Sequence, residues 1–126
     1  MKRLLYFTIL LSLCNVTAQQ KLNLTGKTFS YTDPQTLGVE KYSFLSNSKA
    51  TLLMVSSYNG QTFRDVGNCQ SLVEGNRVKI NCICEDRDTF PDPLKEIFIY
   101  DAKTGNLSTT IHFDQNRRPR VFEKTN

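Results

Sequence analysis

Tryptophan is absent from this 126-residue chain, histidine occurs once, at His112, and 16 basic residues face 12 acidic ones. Each shortage excludes something. A nucleic-acid binder would cluster its basic residues on one face, whereas here they are spread along the chain. With only His112 available, any zinc site or histidine-based dyad must be completed from other elements. Proline (4) and glycine (6) are sparse and form no linker, and neither a low-complexity tract nor a repeat at fixed period is present. One domain with one core is the expectation.

The longest apolar run sits at the N-terminus, in "MKRLLYFTILLSLCNVTA". Lys2 and Arg3 precede an apolar stretch from Leu4 to Leu13 broken only by Thr8 and Ser12, and small residues stand at Val16 and Ala18. The stretch is short of the roughly 20 apolar residues a bilayer-spanning helix needs. The pattern predicts a secretory signal over 1–18, cleaved after Ala18, and a single domain over 19–126 that is secreted or periplasmic, with no membrane span. A rival reading takes "LSLC" as a lipoprotein box with Cys14 as the anchor; the bulk of Leu13 before the cysteine weighs against it. Loss of Lys2 and Arg3 with the leader lowers the net charge from +4 to +2.

Beyond the leader, apolar residues recur at period two and turn pairs separate the segments, which predicts an all-β chain. "VEKYSFLS" and "KATLLMVSS" pair around Asn47-Ser48, with Tyr42 facing Leu53 and Phe44 facing Thr51. Asn59-Gly60 is a strong hairpin signal because both positions tolerate positive φ. "IFIYDAKTGNLSTTIHF" reads as two strands around a loop closed by Gly105, with Phe98, Tyr100, Leu107, Thr109, Ile111 and Phe113 on one face. "RVFEK" is a last short strand with Phe122 inward. The expected fold is an antiparallel meander of about seven to nine short strands that closes into a small up-and-down barrel, which removes two exposed edges. Helix signals are missing save one turn near "PDPLKE".

The leader, the opening "LTGKTFSY" with Gly26 and Phe29, the meander of hairpins and the closing "RVFEK" together resemble the secreted lipocalin-like domains of the calycin type. The resemblance implies the barrel architecture and carries over no binding residue.

Three of the four cysteines lie in "NCQSLVEGNRVKINCIC". With Gly75-Asn76 as a two-residue loop, Glu74 faces Arg77, Val73 faces Val78, and Cys69 faces Cys82 on a non-hydrogen-bonded pair. Cα atoms approach to about 4.5 Å there, inside the disulfide range of roughly 4.4 to 6.8 Å. A Cys69–Cys82 disulfide is expected, with Cys84 a buried free thiol on the same face. Pairing of Cys84 with Cys69 stays open if a bulge lies near Gly67. A metal knuckle is disfavoured because Cys82 and Cys84 on one strand stand about 6.6 Å apart, and no helix start is at hand to lower a thiol pKa.

Other chemistry is thin. Strand parity turns His112 outward with Ser108 and Thr110, and no G-x-S-x-G elbow accompanies it. The acidic loop "CEDRDTFPDP" offers Glu85, Asp86, Asp88 and Asp92 to calcium but lacks the glycine and spacing of an EF-hand, and Arg87 interrupts it. The sequons at Asn23 and Asn106 are acceptors only in a eukaryotic secretory route. The twelve expected inward side chains, Phe29, Tyr42, Phe44, Leu53, Val55, Val73, Val78, Ile80, Phe98, Tyr100, Ile111 and Phe113, are bulky enough to fill most of such a barrel. That argues against an interior pocket of roughly 300 to 1,000 Å³. The expectation is a non-enzymatic, monomeric binding protein without cofactor, metal or nucleic-acid partner. It recognises a small ligand or a secreted protein partner through loops and rim, with Phe90, Asp92, Arg117, Arg118 and Arg120 as candidate contacts. The alternative is an inhibitor of a secreted hydrolase such as lysozyme. A hydrolase built on the acidic loop and His112 ranks third.

Overall fold

The computed structural model describes residues 21–125; the predicted leader, its cleavage point after Ala18 and Cys14 lie outside them. Eight strands follow one another: β1 Thr28–Thr32, β2 Val39–Phe44, β3 Lys49–Tyr58, β4 Gln61–Glu74, β5 Arg77–Cys84, β6 Leu94–Tyr100, β7 Leu107–Phe113 and β8 Pro119–Lys124. Each pairs antiparallel with its neighbours, and β1 pairs β8 through Phe29↔Lys124 and Ser30↔Glu123, so the sheet closes on itself. No helix occurs among the described residues, and the "PDPLKE" stretch enters β6.

Eight strands give a lumen just wide enough to be filled by side chains, and the part from Tyr42 toward Leu24 is filled. Phe29, Phe98 and Phe122 are fully buried beside Tyr42 and Phe44. Phe98 stands edge-on to Tyr42 and to Phe122 with ring centroids 5.3 Å apart in both cases, and Phe29 stands edge-on to Phe44 at 5.8 Å. Edge-to-face stacking at such spacing adds to the gain from area burial. Leu24 caps the end where the chain enters. Its N–H donates to Asn47 Oδ1 at 2.8 Å, and Asn47 Nδ2 donates back to Leu22 O at 3.0 Å, so the β2–β3 loop ties the N-terminal segment across that mouth.

The β4–β5 hairpin has the expected register, with Glu74↔Arg77 around Gly75-Asn76 and Cys69↔Cys82 directly opposed. The two cysteines are bonded with Cα atoms 4.0 Å apart, and Cys84 is a buried free thiol whose pKa burial pushes up. Both loop residues of Asn59-Gly60 take positive φ, 50° and 74°.

Two expectations are corrected. The β2–β3 register is slipped by one: Tyr42 faces Leu52 and Phe44 faces Ala50, rather than Leu53 and Thr51. The loop turns about Asn47, with Leu45 N–H and Ser46 N–H both bonded to Lys49 O. A one-residue slip exchanges the faces, so Leu52 is the core residue, and Leu53 and Val55 lie half-buried on the outer face. In β7, Leu107 and Thr109 point inward as expected, but Ile111 and Phe113 are 47% and 50% exposed. The cause is the carboxylate of Glu96, described next.

Candidate functional site

Strand parity puts the β1–β2, β3–β4, β5–β6 and β7–β8 loops at one end of the barrel, opposite the Leu24 end. A cleft of about 340 Å³ opens there, lined by Glu40, Tyr42 and Met54 from the barrel wall, Phe90, Leu94, Lys95 and Glu96 from the β5–β6 side, His112, Phe113, Asp114 and Gln115 from the β7–β8 side, with Arg120 and Asp33. It is a rim site above a packed core, and its volume reaches the lower end of the range the sequence argued against. With Leu53, Val55, Ile111 and Phe113 turned out of the lumen, the side chains fill it only below Tyr42.

Glu96 is the unexpected member. It sits on β6 at an inward position and is only 4% exposed. A buried carboxylate is stable only when hydrogen-bonded or paired, and here backbone supplies the donors. Oε2 accepts from Ile97 N–H at 2.8 Å, Ile111 N–H at 3.0 Å and Thr110 N–H at 3.4 Å, while Oε1 accepts from His112 N–H at 3.0 Å. These amides belong to the part of β7 that has left the β6 ladder, whose regular pairing stops at Phe98↔Thr109. On the other side, β7 and β8 pair at Ser108↔Val121 and again at Phe113↔Pro119, so five steps along β7 match two along β8. The bulge rotates Ile111 and Phe113 out of the core. One face of the His112 ring edge also meets the same carboxylate, with Nδ1 3.3 Å from Oε1.

Arg120 is held from several sides. Its guanidinium pairs with Glu40 and lies over the rings of Tyr31 and Phe122 at 5.3 and 5.4 Å from their centroids. Nε donates to His112 O at 3.2 Å, and its backbone N–H donates to Thr109 Oγ1 at 2.8 Å. Tyr42 lies beneath, its phenol pKa driven upward by burial and by Glu40. The loops are rigidified by their own aspartates. Asp33 Oδ1 accepts from Gln35 N–H and Thr36 N–H, and Asp114 Oδ1 accepts from Asn116 N–H and Arg118 N–H. The amide donors of Thr36 and Gln35 hold the Asp33 carboxyl below its ordinary pKa.

Of the candidate contacts, the fold brings Phe90 and Arg120 into this cleft, while Asp92, Arg117 and Arg118 stand exposed on the flanking loops. Sequence reasoning missed Glu96 and Glu40. A lone glutamate inside the apolar run "LKEIFIY" was the available signal, since a charge at an inward strand position must find partners. His112 is exposed, but not by the expected parity: beyond the bulge its ring stands against the inward Glu96 carboxylate and borders the cleft, rather than lying on the outer face with Ser108 and Thr110. Among the described residues, no group of three or more His, Cys, Asp or Glu side chains converges to hold a metal ion.

No known protein family, curated protein or solved structure is significantly similar to this chain.

Proposed function

We propose that this protein is a secreted, non-enzymatic binding protein that recognises its partner at the rim of a barrel filled only below Tyr42. The observation carrying the reading is the contrast between the two parts of the lumen. Below Tyr42 the space is taken by stacked rings; above it, a cleft of about 340 Å³ presents the half-buried Phe90 and exposed Phe113 and Lys95 among polar groups fixed by backbone hydrogen bonds. Rigid loops bearing aromatic and charged tips suit recognition, because little ordering entropy is lost on binding. The carboxylate of Glu96 is occupied by four amide donors, which favours a structural role over that of a catalytic base.

The test is capture of secreted proteins by the mature chain and by Phe90→Ala and Lys95→Glu variants. The reading expects a specific partner to be lost with either variant while the fold stays intact; capture indifferent to both overturns it. The alternative, inhibition of a secreted hydrolase such as lysozyme, is favoured by one feature: the β3–β4 hairpin protrudes beyond the barrel with Tyr58 70% and Phe63 50% exposed. A captured hydrolase that loses activity moves this alternative ahead.

A further inference from the structure

β3 and β4 outrun the barrel. β2 reaches only as far as Val55, through Val39, and β5 reaches only as far as Gly67, through Cys84, with one further bond from Glu85 N–H to Val66 O. Ser56 to Asp65 therefore form a two-stranded arm around Asn59-Gly60. In a two-residue hairpin the closing pair, Tyr58↔Gln61, is hydrogen-bonded and the pairs alternate from there. Thr62 and Arg64 consequently turn their N–H and C=O groups away from β3, in line with Val66, whose carbonyl takes the bond from Glu85. On the opposite edge only Ser57 does so.

The arm has two different faces. Tyr58 and Phe63 share the face that continues the barrel interior, together with Met54 and Asp65 at the base. Isolated two-stranded ribbons are marginal in water, and an edge with unpaired backbone groups is a template for another strand. The β5–β6 loop beside this edge carries Glu85, Asp86, Asp88 and Asp92 against Arg87 alone, whose guanidinium is already donated to Pro91 O at 3.1 Å. Asp65 adds a fifth carboxylate, and its Oδ2 is buried with no hydrogen-bond partner while Oδ1 accepts from Val66 N–H and Asp86 N–H.

Building on the rim reading, we infer that the partner is a protein segment that adds as an extended strand to the β4 edge at Thr62–Arg64, with basic and apolar side chains on the face shared by Asp65 and Phe63. Main-chain hydrogen bonds to the edge supply affinity, and the acid-lined side of the arm selects the charge of the segment.

The experiment uses the mature, isotope-labelled chain and a capped heptapeptide in which threonine alternates with lysine, valine and lysine, followed by backbone amide shifts. Binding is expected to shift amides of Ser56–Val66 and of the 85–92 loop. It should weaken by about ten-fold or more when glutamate replaces lysine in the peptide, and vanish when alternate peptide amides are N-methylated. Thr62→Pro removes an edge donor outside the β3–β4 ladder and should abolish these shifts without lowering the melting temperature; Ser57→Pro, on the other edge, should leave them in place. Equal binding of the glutamate peptide, an unaffected Thr62→Pro variant, or no shifts at all overturns the inference. Shifts at Phe90 and Phe113 with none in Ser56–Val66 overturn it too while sparing the rim reading, and concentration-dependent shifts of the same arm without peptide would overturn it by showing a second copy as the occupant.

Discussion

Glu96 Oε1 accepts the backbone N–H of His112 at 3.0 Å, and the imidazole Nδ1 of the same histidine stands 3.3 Å from that oxygen. Sixteen residues apart in sequence, these two groups decide where β7 stops being a core strand and starts to shape the rim. Without the carboxylate, the N–H groups of Thr110, Ile111 and His112 would need other partners in a place where β6 no longer provides them.

Glu96→Ala should therefore destabilise the protein by about 3 kcal/mol or more, since charge-assisted hydrogen bonds are lost together and buried donors are left unpaired. Glu96→Gln should fall between, because an amide oxygen can accept but its NH₂ faces donors. Chemical denaturation checks both, and an Ala variant within about 0.5 kcal/mol of the unsubstituted protein, the usual error of such comparisons, would contradict this role of Glu96.

The disulfide between Cys69 and Cys82 closes a loop of sequence separation 13. Chain entropy puts its contribution at about 3 kcal/mol, so the Cys69→Ala, Cys82→Ala double variant should unfold at correspondingly lower denaturant. Cys84 should react with a thiol reagent only after unfolding, since burial both shields it and raises its pKa. Three reactive thiols in the unreduced, unfolded mature chain, at Cys69, Cys82 and Cys84, or one at Cys82 in place of Cys84, would refute the pairing.

Asp33 and Asp86 carry carboxyls held below the ordinary 3.8 by amide and hydroxyl donors of Thr36, Gln35 and Thr89. A depressed native pKa means that the stabilisation is present above 3.8 and is lost as pH falls below it through the lower native values. The stability of Asp33→Asn and Asp86→Asn should thus approach that of the unsubstituted protein at the acidic end and differ most near neutrality. A constant difference across that range would exclude these contacts as its source.

The architecture was legible in the sequence because its hairpins are short. Gly75-Asn76 fixes one register from the loop outward, and that alone places Cys69 opposite Cys82. The β2–β3 loop was not legible in the same way: Asn47 serves as apex and as tether for Leu22 and Leu24, a long-range duty invisible in local pattern, and the slip moved Leu52 inward in place of Leu53. Ile111 and Phe113 fit the period of a core strand, and only the inward carboxylate of Glu96, itself a breach of the pattern in β6, turns them out. At the rim, the meeting of Arg120 with Glu40 and Tyr31 depends on barrel closure through β1 and β8; their spacing in sequence holds no trace of it.

The claim at the centre of this account is that the barrel is filled below Tyr42 and that recognition happens at its rim. Native mass spectrometry of the protein purified from its own host tests it most directly. The account predicts the mass of the chain with no small molecule retained, whereas a lipid or other small molecule held at near one per chain would show that the stacked rings of Tyr42, Phe98 and Phe122 open to admit a ligand, and would contradict it.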